Sequence, residues 1–420
     1  MNGTAAETRV LEFTDALGVV LHHAADARAP GAEKVALLTA SGRVLAEDVA
    51  ADRDQPPFDR ATRDGFAVRA EGWSRGDKLR VIGQVRAGEA WGESLASGEA
   101  VEIMTGAGVP RGADAVAMVE HVEQVGGEVW AAAGRGLRAG ENIVPQGSEA
   151  RAGDVLLPAG IVVGAAEIAL AAACGHAELA VRKRPAVAIV ATGDELVELD
   201  QTPEAHQIRN SNGYALAALV EAAGGEARKL AIARDTRDDV RARIVEGRRS
   251  DLLLLSGGVS AGKYDLVEEV LAEFGAEFFF TGVKMQPGKP VVFGRIARQR
   301  VSESADERRW TYFFGLPGNP VSTQVTFHCF VEPMLRAMCG AGVTAPKFVQ
   351  ATLAEEVRGK VGLTRILPAR LKQDLERSEV RLVGWQGSGD LAANARANCY
   401  AVLPDGRDLK AGDVITVLLR

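Results

Sequence analysis

Apolar segments from Ala186 onward alternate between strand-like and helix-like spacing. Ala186 to Ala191, Leu252 to Leu255 and Thr311 to Phe314 are short, mainly apolar runs bounded by turn residues, which is typical of buried parallel strands. Between them, Ser211 to Ala223 and Arg237 to Glu246 have helical spacing. This alternation predicts βαβ units and a central three-layer, doubly wound α/β domain.

Four further elements complete the predicted central domain. We expect strands near Lys229 to Ala233 and at Glu277 to Thr281, and helices at Leu266 to Phe274 and Val321 to Met338. The carboxyl ends of the parallel strands should then face one crevice, where open α/β sheets bind their ligands.

The remaining segments have other patterns. Phe13 to Ala27 is a helical stripe, whereas Leu79 to Val129 and Lys347 to Arg420 contain short alternating runs separated by glycines. The alternating segments predict a β-rich N-terminal lobe and a C-terminal β-barrel, so the chain is expected to be multidomain, α/β and β. The predicted parts are an N-terminal helix and linker segments (1–52 and 140–182), the lobe (53–139), the central α/β domain (183–340) and the barrel (345–420).

Composition narrows the class of protein. The chain of 420 residues contains 47 glycines, and this share of about 11% exceeds the usual ~7% and implies many turns. A net charge of −7 without long single-sign runs argues against a nucleic-acid surface. The four cysteines are far apart and have no Cys-x-x-Cys spacing, which favours a reducing compartment.

No targeting or membrane segment is expected. Residues 1–8 are small and polar, unlike a signal peptide. The most apolar region, Val155 to Cys174, is interrupted by Pro158 and Glu167 and is therefore unsuited to spanning a membrane. We expect a cytoplasmic protein.

The turn after Leu255 is the first candidate for chemistry. Its small residues would let backbone N–H groups approach an anion between a strand end and a helix start. These residues are Ser256, Gly257, Gly258, Ser260 and Gly262. An alternative is that the glycines only form a tight βα turn and that Asp265 and Glu268 form a capping pair.

Other polar turns recur along the same domain. Glu195 lies in the turn Thr192-Gly-Asp-Glu, Asp235 precedes a predicted helix, and Lys289 lies between a glycine and a proline. In Leu316-Pro-Gly-Asn-Pro-Val-Ser, Asn319 and Pro320 suit the N-cap and first position of a helix. Helix initiation would explain these two residues but not the small side chains of Gly318 and Ser322.

A charged loop stands out nearer the amino end. Pro56-Pro57 stiffens the backbone, and Asp64-Gly65 predicts a turn, so this loop should present Asp59, Arg60, Arg63 and Asp64. The alternative is a solvated connector held by Asp/Arg pairs.

Six segments, in this order, resemble the molybdopterin molybdenumtransferases of the MoeA / gephyrin E-domain type. They are Pro57-Phe-Asp-Arg-Ala-Thr-Arg-Asp-Gly-Phe-Ala, Ile103-Met-Thr-Gly-Ala, Thr192-Gly-Asp-Glu-Leu, Ser256-Gly-Gly-Val-Ser-Ala-Gly-Lys-Tyr-Asp, Pro287-Gly-Lys-Pro and Leu316-Pro-Gly-Asn-Pro. The similarity extends over nearly the whole chain.

The resemblance implies an elongated homodimer that takes adenylylated molybdopterin, inserts molybdate at the dithiolene, and releases molybdenum cofactor and AMP with Mg²⁺ as cofactor. It further implies that segments 1–52 and 140–182 contribute to dimerisation. Asp59 and Thr105 of one copy would face the central loops of the other. Glu195 and Asp235 are oxygen donors of the kind that Mg²⁺ prefers.

The resemblance also assigns site residues. The expected catalytic residues are Asp59, Thr105, Glu195 and Asp265. The expected substrate-binding residues are Asp235, Ser256, Gly257, Gly258, Ser260, Gly288, Lys289, Pro317, Gly318, Asn319, Ser322, Arg370 and Ser388. Backbone N–H groups and Lys289 would stabilise the phosphate and the developing oxyanion.

The chain departs from the family pattern at three places. Gln286 stands where the family often has lysine, and Ala61-Thr-Arg-Asp-Gly replaces the family's Ser-Ala-Met-Asp-Gly. Pro368 aligns with an arginine that helps to hold molybdate in the family. Arg370, two residues further along the same strand face, is a candidate replacement. Ser388 keeps the family's serine.

Two other functions remain open from the sequence. One is the molybdopterin adenylyltransferase of the preceding step, although the lobe and barrel disfavour it. The other is a dimeric, non-enzymatic scaffold of gephyrin type. Expected partners are the adenylyltransferase and molybdoenzyme chaperones, with neither nucleic acid nor membrane.

Overall fold

The structure is a computed structural model that describes residues 9–258, 266–299 and 310–420. It divides into two compact units. One contains Met1–Val35, Gly42–Ala46 and Ala180–Arg420, and the other contains Ala36–Ser41 and Glu47–Leu179. Within the described ranges, every helix is too short or too polar to cross a lipid bilayer.

The first unit contains the predicted α/β domain. In spatial order, the strands of its six-stranded central sheet are Glu226–Lys229, Ala186–Ala191, Leu252–Ser256, Trp310–Leu316, Val292–Ala297 and Glu277–Phe280. Neighbouring strands among the first four are parallel, whereas Val292–Ala297 runs antiparallel to both its neighbours. The sheet is therefore mostly parallel, as the sequence pattern predicts.

The strand Leu252–Ser256 lies within the sheet and is buried on both faces. Leu252 and Leu254 pack into a large apolar cluster on one face, and Leu253 and Leu255 pack into a second cluster on the other. All four leucine side chains have 0% exposure. Since successive side chains of a strand point to opposite faces, an unbroken leucine run fits this position.

Helices cover the central sheet, and one of them differs from its prediction. Apart from Leu391–Arg396 beside the barrel, the α-helices described in the first unit are Phe13–Ala25, Ser211–Ala222, Arg237–Gly247, Leu266–Glu273, Pro320–Thr326 and Glu332–Met338. The predicted continuous α-helix Val321 to Met338 is wrong, because Phe327–Val331 forms a π-helical turn. Pro333 lacks the N–H that an α-helical hydrogen bond to Cys329 requires, and its ring would crowd that carbonyl.

The edge strand also differs from its prediction. We expected it near Lys229 to Ala233, but it spans Glu226–Lys229. Its exposed side carries charged residues, as edge strands commonly do. The prediction placed the strand too late because it followed the apolar run that begins at Leu230. The backbone continues beside the sheet through bonds from Leu230 N to Ile189 O and from Ala233 N to Ala191 O, both 2.9 Å.

The C-terminal part of the first unit is a closed β-barrel, as predicted. Its strands, in order around the barrel, are Thr364–Gln373, Ser378–Leu382, Phe348–Leu353, Val414–Leu419 and Cys399–Leu403. Closure comes from the pairing of Thr364–Gln373 with Cys399–Leu403. The short strand Met285–Gln286 pairs with Thr364–Arg365, which joins a loop of the central domain to the barrel.

Short elements complete the first unit. Val10–Leu11 pairs with Gly282–Val283, and Leu196–Val197 pairs with Ile208–Arg209. The helix Leu391–Arg396 precedes the barrel strand Cys399–Leu403. The chain passes between the units four times, and two of these points lie in the strands Ala32–Ala36 and Glu178–Arg182.

The second unit contains the predicted β-rich lobe and extends beyond its predicted bounds of 53–139. Its six-stranded sheet contains, in spatial order, Ala115–Met118, Gly65–Val68, Glu99–Ile103, Leu79–Val85, Glu128–Ala131 and Val122–Val125. Two small pairs add Val49–Ala50 with Val155–Leu157 and Arg60–Ala61 with Ile143–Val144. Its helices are Ala70–Arg75 and Ala165–Ala173, with 3-10 turns at Leu37–Ala40 and Val119–His121. Buried residues on both sheet faces form two apolar clusters.

A hydrogen-bonded triad lies near the end of the long helical segment in the first unit. His328 Nδ1 lies 2.9 Å from Glu332 Oε2, and Arg336 Nε donates to Glu332 Oε1 at 2.9 Å. Burial opposes ionisation of Glu332, but the hydrogen bonds from His328 and Arg336 outweigh it and lower its pKa to about 2. A carboxyl whose pKa is lowered by folding contributes stability above its unfolded pKa and loses it as pH falls.

We expect Glu332→Gln to lower the melting temperature near neutral pH. The difference between wild type and variant should shrink as pH falls from about 4.5 toward about 2, because the wild-type carboxylate becomes protonated over that range. Thermal melts over a pH series measure this. Glu246→Gln, which alters a more exposed pair with Arg243, is the control and should change little. A pH-independent difference for Glu332→Gln would contradict the assignment.

Candidate active site

A cavity of about 1210 Å³ opens at the carboxyl ends of the parallel strands in the first unit. It is lined by polar turns and small residues, with several apolar side chains among them. The lining residues are Ala191, Thr192, Gly193, Glu195, Leu196, Ile208, Arg209, Asn210, Ser211, Asn212, Asp235, Ser256, Gly257, Gly258, Leu266, Pro290, Pro317, Gly318, Asn319, Pro320, Gly389 and Leu391. This is the edge where ligands of open α/β sheets bind.

The glycine turn after Ser256 has a steric reason. Gly257 has φ +93°, and a Cβ there would lie 2.5 Å from the backbone oxygen of Thr192. Gly258 has φ +66°, and a Cβ there would lie 2.9 Å from Thr192 Oγ1. Larger residues are therefore excluded by both backbone conformation and space. A tight turn alone needs φ > 0 but not this close approach to Thr192.

The turn Pro317 to Asn319 lies beside the glycine turn, because their strands are neighbours and Ser256 aligns with Leu316. Asn319 occupies the N-cap position and Pro320 the first helical position, but the Asn319 side chain makes no capping hydrogen bond. Helix initiation thus leaves the Asn319 amide unexplained. In the described part of the chain, the backbone N–H groups of Gly258, Gly318 and Asn319 have no hydrogen-bond acceptor.

Acidic residues line the same cavity. Glu195 and Asp235 are exposed and form no ion pair with any described residue. Asp194 Oδ1 accepts a hydrogen bond from Asp235 N at 3.2 Å, and Arg234 Nη1 donates to Asp194 O at 3.0 Å. These contacts hold the two acidic turns together at neighbouring strand ends.

The donor set fits Mg²⁺ bound together with phosphate. Magnesium typically takes one or two protein carboxylates and completes its shell with water and phosphate oxygens. Glu195 and Asp235 offer two carboxylates, and among residues 9–258, 266–299 and 310–420 no cluster of three His, Cys, Asp or Glu forms a complete protein cage.

Several expected site residues lie outside the lining of the cavity. Lys289 is exposed and its ammonium has no partner among the described residues, while its neighbour Pro290 lines the cavity. Gly288 has φ +108°, and a Cβ there would lie 2.5 Å from Thr326 Cγ2. Ser322 is buried in the helix that follows Asn319.

The barrel contributes to the cavity through one turn. Ser388 O accepts a hydrogen bond from Val321 N at 3.0 Å, and the adjacent Gly389 lines the cavity. Pro368 and Arg370 both lie in the strand Thr364–Gln373, with Pro368 buried and Arg370 exposed opposite Arg381. At the position of the family lysine, Gln286 Oε1 accepts a hydrogen bond from Lys360 Nζ at 3.1 Å.

Asp59 and Thr105 lie in the second unit and are exposed. Asp59 Oδ1 accepts a hydrogen bond from Gln146 N at 2.8 Å. Thr105 donates to Asp64 Oδ1 through its backbone at 2.6 Å and its hydroxyl at 2.7 Å, and these bonds lower the Asp64 pKa. The loop is held mainly by such aspartate contacts, and its one described ion pair joins Arg60 to Glu149.

The expected residues Ser260 and Asp265 lie outside the described residues. Of the others, the structure brings Glu195, Asp235, Ser256, Gly257, Gly258, Pro317, Gly318 and Asn319 to one cavity.

Sequence reasoning missed three polar residues of the cavity. Asn212 Nδ2 donates to Ser256 Oγ at 2.9 Å and to Gly318 O at 2.7 Å. Thr192 Oγ1 and Asn210 Nδ2 are buried and have no partner in the described part of the chain. The polar run Arg209-Asn-Ser-Asn212 at a helix start was the available signal for the two asparagines.

Three family models match successive parts of the chain. The MoeA N-terminal region (domain I and II) matches residues 11–175, a probable molybdopterin binding domain matches 188–337, and the MoeA C-terminal region (domain IV) matches 350–419.

Named relatives agree with these matches. A molybdopterin molybdenumtransferase from Staphylococcus aureus is 36% identical over 395 residues, covering 92% of this chain and 90% of that protein. One from Staphylococcus epidermidis is 33% identical over 388 residues, covering 90% and 88%. Two crystal structures of a molybdopterin biosynthesis MoeA protein from Pyrococcus horikoshii align with TM-scores of 0.75 and 0.81. Their identities are 32% and 28%, and they cover 98% of this chain and 99% and 100% of theirs.

We expect Thr192→Val to raise the free energy of unfolding of the ligand-free protein by about 1 kcal/mol, because it removes a buried hydroxyl without a partner. Thr311→Val is the matched control in the same sheet. Its hydroxyl donates to Ser250 O at 2.7 Å, so its loss should destabilise the protein by about 1–2 kcal/mol. Chemical denaturation measures both, and equal destabilisation by the two variants would show that Thr192 is satisfied by water.

Proposed function

The chain belongs to the MoeA family, and on that premise we propose that it inserts molybdenum into adenylylated molybdopterin, consuming molybdate and releasing AMP. Membership confirms the family that the sequence resembles and supports a role as an enzyme of molybdenum cofactor biosynthesis. The adenylylated substrate, the AMP product, Mg²⁺, a homodimer and a cytoplasmic location are parts of the proposal.

The observation that carries the proposal is that one cavity is lined both by backbone N–H donors and by two carboxylates that have no ion-pair partner among the described residues. The backbone N–H groups of Gly258, Gly318 and Asn319, for which the described residues offer no acceptor, suit phosphate oxygens. The Glu195 and Asp235 carboxylates would repel the same phosphates unless a cation lay between them. A phosphoanhydride bound with Mg²⁺ satisfies both sets of groups.

The size and lining of the cavity suit the rest of such a substrate. Its volume of about 1210 Å³ is above the roughly 300–1,000 Å³ of most small-molecule sites, as a pterin joined to a nucleotide requires. Apolar side chains such as Leu196, Ile208 and Leu391 provide contacts for ring faces.

In the proposed reaction, water adds to one phosphorus of the phosphoanhydride while the bond to the bridging oxygen breaks, giving AMP and a pterin phosphate. Glu195 and Asp235 would hold Mg²⁺, which would neutralise charge at the phosphate oxygens. The N–H groups of Gly258, Gly318 and Asn319 stabilise the negative charge that develops on the phosphoryl oxygens.

Roles for the remaining expected residues are part of the same proposal. Lys289, Arg370 and Ser388 would hold molybdate, with Lys360 adding a positive charge beside Gln286. The small side chains at Gly288 and Ser322 would let the backbone at these positions lie close to the substrate. Ser260, Thr105 and Asp265 keep the roles that the family resemblance implies, and Asp59 is the proposed essential acid.

The direct test incubates the purified protein with adenylylated molybdopterin, Mg²⁺ and molybdate while AMP release is followed. Molybdate-dependent AMP release, with recovery of cofactor that activates a molybdoenzyme lacking it, supports the proposal. A parallel reaction with ATP and molybdopterin tests the adenylyltransferase alternative. Accumulation of adenylylated molybdopterin there, with no AMP release in the first reaction, would contradict the proposal.

We expect Asp235→Asn and Glu195→Gln each to slow AMP release by at least about tenfold and to raise the Mg²⁺ concentration that it needs. Asp238→Asn, an exposed acid that does not line the cavity, is the control. Titration of Mg²⁺ against the initial rate separates the cases. An unchanged Mg²⁺ requirement in both site variants would remove these carboxylates from the metal site.

We expect Asp59→Asn to abolish most molybdate-dependent AMP release without disturbing the fold. The asparagine oxygen can still accept from Gln146 N, so the loop should keep its shape while the charge is lost. Turnover is measured beside circular dichroism and the oligomeric state. Full turnover in a folded variant would exclude Asp59 as an essential acid.

A further inference from the structure

Asn212 links two cavity turns that come from different strands. It is the second residue of the helix Ser211–Ala222, and its amide reaches the ends of two parallel strands. Nδ2 donates to Ser256 Oγ at 2.9 Å and to Gly318 O at 2.7 Å. Both amide hydrogens are therefore committed to the walls of the cavity.

The first bond determines what Ser256 can do. Because Ser256 Oγ accepts from Asn212, its own hydrogen is left for a different acceptor. None of the other described hydrogen bonds uses that hydrogen. Ser256 is thereby set as a donor at the mouth of the glycine turn.

The second bond determines the orientation of a peptide group. The Gly318 carbonyl is drawn to Asn212, and in a planar trans peptide the N–H of Asn319 points the opposite way. The same bond occupies a carbonyl oxygen that would otherwise face an incoming anion with negative charge. Asn212 thus orients the Asn319 N–H donor and occupies the Gly318 carbonyl acceptor at the same time.

Helix stability does not explain this residue. Asparagine is a poorer helix former than alanine, and the helix start already has a cap, since Asn210 Oδ1 accepts from Gly213 N at 2.9 Å. The hydrogen bonds of the Asn212 amide therefore stabilise the two cavity turns and not its own helix.

We propose that Asn212 is a positioning residue that turns the donors of Ser256 and Asn319 toward a phosphate group of the substrate. The inference rests on the proposed function, since it names the group of that substrate which these donors receive. Asn212 itself need not touch the phosphate.

The test measures binding of AMP with Mg²⁺ to the full chain by calorimetry, for wild type, Asn212→Ala and Asn212→Asp. The alanine variant should bind about tenfold more weakly, since its loss frees Ser256 and Gly318 to reorient. The aspartate variant should bind more weakly still. Its carboxylate draws the Ser256 hydrogen to itself and repels the Gly318 oxygen.

That order distinguishes positioning from packing. A residue that only fills space would tolerate the isosteric aspartate better than alanine, so the reverse order would overturn the proposal. Asn398→Ala is the matched control, because Asn398 also joins backbone groups, at Leu371, but in the barrel. It should bind AMP like wild type when it is folded.

A double-mutant cycle with Ser256→Ala gives a second readout. If Asn212 acts through Ser256, the affinity of the double variant for AMP should be no more than about threefold below that of the single variant that binds AMP more weakly. Losses that multiply fully would overturn the proposal even when both variants fold.

Inorganic pyrophosphate is titrated in parallel to separate this inference from the proposed function. Wild type that binds pyrophosphate but not AMP would contradict AMP as product, while the order of the variants toward pyrophosphate still decides the role of Asn212. Wild type that binds neither probe would overturn both.

Discussion

The close approach of the glycine turn to the neighbouring strand end is the constraint on which the candidate site depends. The carbonyl and hydroxyl of Thr192 lie so near Gly257 and Gly258 that neither position has room for a side chain. This packing is possible because Leu252 to Leu255 anchor the preceding strand in apolar clusters on both faces. The buried strand therefore fixes the position of a turn whose two glycines expose only backbone atoms at the edge of the cavity.

The polar groups around this turn have complementary uses. Among the described residues, the backbone donors of Gly258, Gly318 and Asn319 have no acceptors, and the carboxylates of Glu195 and Asp235 have no cationic partners. All five residues are exposed, so water can pair with these groups until a ligand replaces it. The proposed substrate carries phosphates that match these groups.

The sequence was sufficient for features that depend on local pattern. The leucine run predicts a strand buried on both faces, and the repeated polar turns predict one cavity at the sheet edge, which is where the structure has eight of the expected residues. The family resemblance also anticipated the closed barrel at the carboxyl end. These predictions succeed because periodicity and turn chemistry are properties of neighbouring residues.

Features that depend on distant residues were not predictable in the same way. Asn212 meets Ser256 and Gly318 across 44 and 106 positions of sequence, and nothing local marks that contact. The π turn at Phe327–Val331 and the shifted edge strand likewise follow from tertiary packing. Asn319 looks like an ordinary helix cap, yet its side chain makes no capping bond.

A crystal structure of the protein with AMP and Mg²⁺ would test the central claim most directly. The account predicts a phosphate within hydrogen-bond distance of the Gly258 and Asn319 nitrogens, with the metal ion coordinated by Glu195 or Asp235. A nucleotide bound at another place, with these nitrogens and carboxylates left without ligand, would contradict it.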